Sequence, residues 1–379
     1  MNKFFRPIVL RNDEGHRQAT WLELFMDLAF VVSMRSLTVM LVEDHSIGGF
    51  ILYCLVFFAV FWAWNQLTWY AIFFDNNDFF YRVIYLGSVL FILVLSGSFS
   101  QIARGVTYSF VLAYVMLNFL LVVGWVRVYF SGMELKDFSF KFAAGKVLSI
   151  ILFLASMRFP APQQYYLWGL AMAVHAVFPY FAYAPKATDI PIHLDHVVER
   201  YCLFTIIMLG EALFALKVGF VPPLRSEAFY TALLSYIVIA CIWWSYFNWD
   251  FGSARNFGRV SNTFCYGYGH CVVFFTIATF GAAGEIATNY AIYGFDLQYL
   301  EKYLMVVSVP LYLVSICLMN RLSWNMPFDK IMIVRLTVAI LSLGFSIVFI
   351  HLSPVLIIGG IALMMVIMIV YEQLNVRVS

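Results

Sequence analysis

Apolar residues in this chain neither alternate nor keep to single helical stripes. They run on for about 20 residues at a time, the length that carries a helix across a hydrocarbon core. Such runs fall near residues 22–42, 49–71, 82–103, 106–128, 142–157, 164–184, 201–220, 228–249, 264–289, 298–319, 331–351 and 354–371. The pattern predicts an all-α, polytopic transmembrane bundle of about 12 spans. Its polar breaks delimit a tail over 1–20, spans over 21–184, a linker over 185–200, spans over 201–371 and a tail over 372–379.

The two halves echo each other. Trp64 and Trp69 recur as Trp244 and Trp249, and Gly87 as Gly267, at a spacing of 180. Leu24-Phe25 returns as Leu203-Phe204, and Ile102-Ala103 as Ile286-Ala287, at nearly the same distance. The expectation is two six-helix repeats, over 21–184 and 201–371. An even number of spans makes them parallel, related about an axis along the membrane normal.

Composition agrees with the pattern. The chain is 63% hydrophobic and 12% charged, about half the charge of a soluble domain. A net charge of +2, with scattered basic residues, argues against a nucleic-acid partner. The first 20 residues carry charge but no apolar core, so the first span is expected to act as its own insertion signal. Basic residues gather in that tail and over 129–141, whereas the first opposite loop reads Glu43-Asp44-His45. This bias predicts cytoplasmic termini. The alternation of Phe4, Phe5, Arg6, Ile8, Val9, Leu10 and Arg11 suggests an interfacial anchor. The six cysteines form no CxxC pair and read as buried, reduced thiols.

Charges within the runs mark the candidate chemistry, because each costs about 2.5–3.5 kcal/mol at the membrane centre on insertion scales. Glu23 and Asp27 share a face of the first span, and Arg35 lies deeper on the same broad face. Glu211 lies midway along the seventh span and is the expected ion-pair partner of Arg35. Together Glu23, Asp27, Arg35 and Glu211 are pathway or ion-pair candidates. The simpler alternative makes Glu23 a solvated helix-start acid and the deeper charges helix–helix glue. The segment His193-Leu194-Asp195-His196-Val197-Val198-Glu199-Arg200 enters the seventh span. Its His196, Glu199 and Arg200 are expected at the cytoplasmic mouth. A metal on His196 and Glu199 is a weak reading, so neither metal nor cofactor is predicted. His175, His270 and Glu285 also fall inside spans. Hydrogen-bonded core roles suit the histidines best, with proton relay a secondary role for all three. Trp62–Tyr70 and Trp243–Asp250 read as aromatic belts at the inner face. Phosphate-loop, GxSxG, HExxH and GxGxxG signatures are absent.

The block Thr20-Trp21-Leu22-Glu23-Leu24-Phe25-Met26-Asp27-Leu28-Ala29-Phe30-Val31-Val32 resembles the hallmark of the bacterial low temperature requirement A (LtrA) family. So does His196-Val197-Val198-Glu199-Arg200-Tyr201-Cys202-Leu203-Phe204, followed by Leu209-Gly210-Glu211-Ala212. The resemblance implies a multi-pass protein of the bacterial cytoplasmic membrane, linked to growth in the cold. Met26 stands where relatives commonly carry Phe, and Arg35 where an uncharged residue is expected. Glu23-x-Phe25-x-Asp27-x-x-Phe30 is fainter in its similarity to the Phe-Ser-Asp signature of lysosomal potassium channels. Trp21 replaces that family's Arg, and the second repeat lacks the Phe-x-Asp pair. The expected function is secondary transport or ion conduction, with the bilayer and an ion or small solute as partners and oligomers allowed. A structural or sensory role is the alternative. A metal-dependent enzyme acting on lipids ranks lower, so an enzymatic activity is left open and disfavoured.

Overall fold

The computed structural model describes residues 6–10, 19–74, 76–132, 134–187, 190, 192–222, 224, 226–248, 260–295, 297 and 299–375. In chain order the α-helices are α1 (Trp21–Glu43), α2 (Ile47–Phe73), α3 (Phe79–Gly97), α4 (Phe99–Ala103), α5 (Tyr108–Tyr129), α6 (Lys136–Ser156) and α7 (Gln163–Tyr183). They continue as α8 (Leu194–Leu216), α9 (Glu227–Phe247), α10 (Val260–Tyr293), α11 (Tyr299–Ser323), α12 (Lys330–Val348) and α13 (Pro354–Asn375). The described residues form no strand beyond one isolated bridge, Leu10 to Phe74.

Twelve helical segments are long and apolar enough to cross a membrane, with α3 and α4 counted as one. The expected number of spans therefore stands, but several helices outrun their apolar cores. α6 begins at Lys136 and α8 at Leu194, so His196, Glu199 and Arg200 stand on the first turns of a helix and not in a loop before it. Hydropathy detects the stretch that suits lipid, whereas backbone hydrogen bonding carries a helix on through the polar interface.

The chain forms two compact units, Met1–Met40 with Gly49–Leu203 and Leu41–Gly48 with Phe204–Ser379. Within the first, α3 packs on α5, α5 on α6 and α6 on α7. Aromatic side chains fill these seams. Trp125 stacks on Phe142 at 4.3 Å, and Phe110 meets Trp168 at 4.6 Å. The Trp168 indole donates to Ser156 Oγ at 2.9 Å. Gly145 allows α6 to approach α7 closely, since a Cβ there would lie 2.8 Å from Phe178. On α1, Glu23, Met26, Asp27, Phe30, Met34 and Leu37 form a fully buried stripe. Trp21, Phe25, Leu28 and Val32 are exposed on the opposite side. The three-and-four spacing of that stripe places both carboxylates on the face turned into protein.

In the second unit α9 packs on α10 and α13, α10 on α11 and α11 on α12. Arg335 of α12 grips Glu372 of α13 bidentately, Nε to Oε1 at 2.7 Å and Nη2 to Oε2 at 2.8 Å. Its Nη2 also donates to the Ser245 carbonyl of α9 at 3.1 Å. Tyr312 of α11 donates to the Ile242 carbonyl at 2.9 Å. One buried ionic strut thus gathers three helices, α9, α12 and α13. His45 meets buried Glu301 at 2.6 Å in the same unit. All six cysteines are free thiols.

Residues 6–10 are held by protein. The Arg6 N–H donates to Asp78 Oδ2 at 2.9 Å, and the Val9 N–H to Asn76 Oδ1 at 3.3 Å. Arg127 donates to the Arg6 carbonyl at 2.8 Å and to both Asp78 oxygens. Ile8 is buried. This docking replaces the expected interfacial anchoring for these five residues, because their backbone finds partners on the α2–α3 turn. Phe4, Phe5 and Arg11 lie outside the described residues.

Asp78 also caps α3, accepting from the Tyr81 N–H at 2.9 Å. Burial alone would raise its pKa. The hydrogen bonds from Arg127, Arg6 and Tyr81 outweigh it and hold the carboxyl below its ordinary 3.8. A depressed pKa stabilises the fold above the unfolded value and ceases to do so as pH falls through the folded one. Asp78→Ala should cost about 1–2 kcal/mol from the cap alone at neutral pH. Thermal unfolding in detergent should show that gap narrowing as pH drops below the ordinary carboxylate range.

Candidate functional site

Thr20 and Glu23 start α1 with a reciprocal capping box. The Thr20 N–H donates to Glu23 Oε2 at 2.6 Å, and the Glu23 N–H to Thr20 Oγ1 at 3.3 Å. The sequence spells this device as Thr20-x-x-Glu23, a pattern compatible with a pathway acid or a solvated helix-start acid. It is a helix-start acid, but fully buried.

One turn deeper, Asp27 meets Arg200. Each stands six residues into its helix, α1 or α8, about 9 Å from the helix start at 1.5 Å per residue. Arg200 Nη2 donates to Asp27 Oδ1 at 2.8 Å, and both side chains are fully buried. The Trp64 indole N–H of α2 donates to the same oxygen at 2.9 Å. Asp27 Oδ2 and Arg200 Nε and Nη1 are buried without a hydrogen-bond partner among the described residues.

His196 connects this pair to the helix start. Its Nε2 lies 3.6 Å from Glu23 Oε1 and its Nδ1 3.5 Å from Glu199 Oε2. Glu199 Oε1 in turn accepts from the Ala19 N–H at 3.1 Å. Three carboxylates, Glu23, Asp27 and Glu199, therefore surround one guanidinium and one imidazole. His196 thus stands within ion-pair distance of two carboxylates, with no short hydrogen bond to either. Among the described residues no group of three His, Cys, Asp or Glu is arranged as a metal site.

An aromatic wall closes the cluster. Tyr201 donates to Asn65 Oδ1 at 2.6 Å, and the Trp69 indole donates to Asn65 Oδ1 at 3.1 Å and to Tyr201 OH at 3.2 Å. Trp64 and Tyr201 meet edge to face at 5.0 Å. The Trp62–Tyr70 stretch is therefore largely interior, which corrects its reading as a belt. Trp243 and Trp244 are exposed, as belt residues are, and Trp249 and Asp250 lie outside the described residues. The missed signal was Asn65-Gln66, two amides inside an apolar run.

The remaining candidates lie on α1, α7, α8 and α10. Arg35 is half-buried on α1 in the first unit. Glu211 is buried on α8 in the second, 3.8 Å from where a Cβ on Gly281 would sit. Glu285 is half-buried on α10. His270 sits between the Tyr266 carbonyl and the Tyr246 hydroxyl, each at 2.8 Å. Both its nitrogens are satisfied, which is the geometry of a neutral core histidine. His175 Nδ1 lies 2.9 Å from Gln66 Nε2 and 3.1 Å from the Tyr114 hydroxyl.

The family model described as bacterial low temperature requirement A protein (LtrA) matches residues 18–370. The chain belongs to that family. An uncharacterized protein of Rhizobium meliloti (strain 1021) is 24% identical over 247 residues, covering 63% of this chain and 60% of the relative. The chain thus matches less than two thirds of that relative's length. No solved structure matches.

Asp27 and Arg200 leave each other stranded when either is removed. Asp27→Leu and Arg200→Met should each cost about 3–5 kcal/mol. Chemical unfolding in detergent should find the double variant more stable than the worse single one, because it leaves no orphaned charge.

Proposed function

We propose that this LtrA family membrane protein is a secondary transporter or ion-conducting protein in which Glu23, Asp27, His196 and Glu199 bind a proton or small cation. The observation that carries this reading is the excess of carboxylate over guanidinium, buried at the start of two helices long enough to span a membrane. Groups of that kind are costly in lipid and mark ion pathways and proton relays. Arg200 holds Asp27 in place, and His196 stands where a proton passes between Glu23 and Glu199. Arg35 and Glu211, each ionisable and within a span, extend the candidate path. The reading assigns both termini to the cytoplasm and the protein to the bacterial cytoplasmic membrane, supported by the charge bias and by family membership. The echo between the two halves supports two parallel six-helix repeats.

A purely structural or sensory role is the second reading, and the Arg335–Glu372 strut favours it. That strut shows the same chain using buried charge to hold helices together.

Flux separates the two. Purified protein in liposomes is expected to dissipate an imposed proton, sodium or potassium gradient. His196→Gln, which breaks no short hydrogen bond, should slow that flux about tenfold, equivalent to about 1.4 kcal/mol on the barrier. Folded wild-type protein that moves none of these ions would sink the transport reading.

A further inference from the structure

The loop that joins α1 to α2 is short and polar, Glu43-Asp44-His45-Ser46, and it belongs with α11 to the second unit. It leaves α1 at the end opposite Glu23 and Asp27. His45 Nε2 lies 2.6 Å from Oε1 of Glu301, in the first turn of α11. The Glu301 side chain is fully buried, whereas that of His45 is 35% exposed. A buried carboxylate therefore meets an imidazole that solvent can reach.

The contacts of the ring locate its protons. His45 Nδ1 lies 3.3 Å from the Val42 carbonyl. A carbonyl only accepts, so Nδ1 carries a proton and donates it. A neutral ring has one such proton, and with that one spent Nε2 would turn a lone pair on Glu301. Two bare acceptors do not rest 2.6 Å apart. The His45–Glu301 contact therefore holds a further proton. That proton belongs to the pair, on the imidazole or on the carboxyl.

Other titratable groups share this end of α11. Glu43 and Asp44 lie on the loop, and Lys302 follows Glu301. Helices α10, α12 and α13 pack on α11. The end of α10 carries Tyr290 and Tyr293, His351 follows α12, and the first turns of α13 bring no ionisable side chain. None of these six side chains forms a hydrogen bond or ion pair with His45 or Glu301. Asp44 instead accepts from the Ser46 N–H at 3.2 Å. Asp296 lies outside the described residues.

We propose that His45 and Glu301 form a proton-dependent latch that holds the α1–α2 loop on α11. With the shared proton in place the pair is neutral overall and joined by a charge-assisted hydrogen bond. Loss of that proton leaves Glu301 a buried anion facing a lone pair, the costly state for a carboxylate. The loop is the part free to yield, since Ser46, Ile47 and Gly48 are exposed. The latch is closed in acid and opens as pH rises through the titration of the pair. Histidine changes charge between about pH 5 and 8. The sign is opposite to that of Asp78, whose contribution is lost as pH falls. The latch is separate from the Glu23–Asp27–His196 cluster, and it stands whether or not the protein moves ions.

Hydrogen–deuterium exchange of the purified full chain in detergent reads the latch, with rates expressed as protection factors to remove the intrinsic effect of pH. The last turn of α1, Leu41–Glu43, precedes the loop, and its Val42 carbonyl is held by the His45 ring. Its amides should lose protection about tenfold or more between about pH 5 and 8, as for loss of a hydrogen bond to a charged group. Amides of α5 should keep theirs. His45→Gln, at a partly exposed position, should show low protection throughout and no trend with pH. Glu301→Gln should also abolish the trend. A wild-type turn whose protection does not change with pH overturns the latch, as does a trend that persists in His45→Gln. A fall shared equally by α5 overturns it too, because the opening would then be global. Should Glu301→Gln not fold, His45→Gln decides alone.

Discussion

A charge placed at membrane depth must find its opposite inside the protein, and in the first unit that requirement is met where Asp27 meets Arg200. The two residues are 173 positions apart in sequence, so the pair closes a long excursion of chain through α2 to α7. Loop closure of that length is costly in entropy, and lipid raises the penalty for failing to close it. Trp64, Asn65, Trp69 and Tyr201 are ordered around the pair by hydrogen bonds short enough to fix their rotamers. The cluster is therefore a fastening between α1, α2 and α8.

The chain answers the same constraint in three different ways. Arg335 and Glu372 meet fork to fork with a backbone carbonyl as third partner, the arrangement of a strut. Asp27 and Arg200 share one short contact and leave three polar atoms of the pair unpartnered within the described residues. Buried Lys146 has no carboxylate within ion-pair distance among the described residues. These differences separate the three buried cations more sharply than burial does, since all are nearly inaccessible. Buried polarity that is fully satisfied rigidifies, whereas buried polarity left incomplete calls for a ligand, a proton or water.

The number of spans was legible because a span writes about 20 apolar residues in a row. Helix ends were not, since Leu194–Arg200 is helical yet polar. Of the site, Glu23, Asp27, His196, Glu199 and Arg200 were each visible as charges in or beside a span. Their assembly was not, because the contact between α1 and α8 is set by tertiary packing that leaves no local trace. Trp64 and Asn65 were misread for a related reason. An aromatic near the end of a span looks the same whether it faces headgroups or the bundle interior. Lys146 escaped notice because it follows a basic loop, and only the packed position of α6 shows how deep it lies.

Glu23 divides its two oxygens between two tasks. Oε2 closes the capping box with Thr20, while Oε1 faces His196. A glutamine at that position can still complete a capping box, since the motif accepts Glu or Gln, but it carries no charge for His196 to answer. One residue therefore holds a shape and a charge that chemistry can pull apart. For a helix whose first turn is anchored by the same carboxylate that faces a titratable ring, protonation becomes a mechanical event as well as an electrical one.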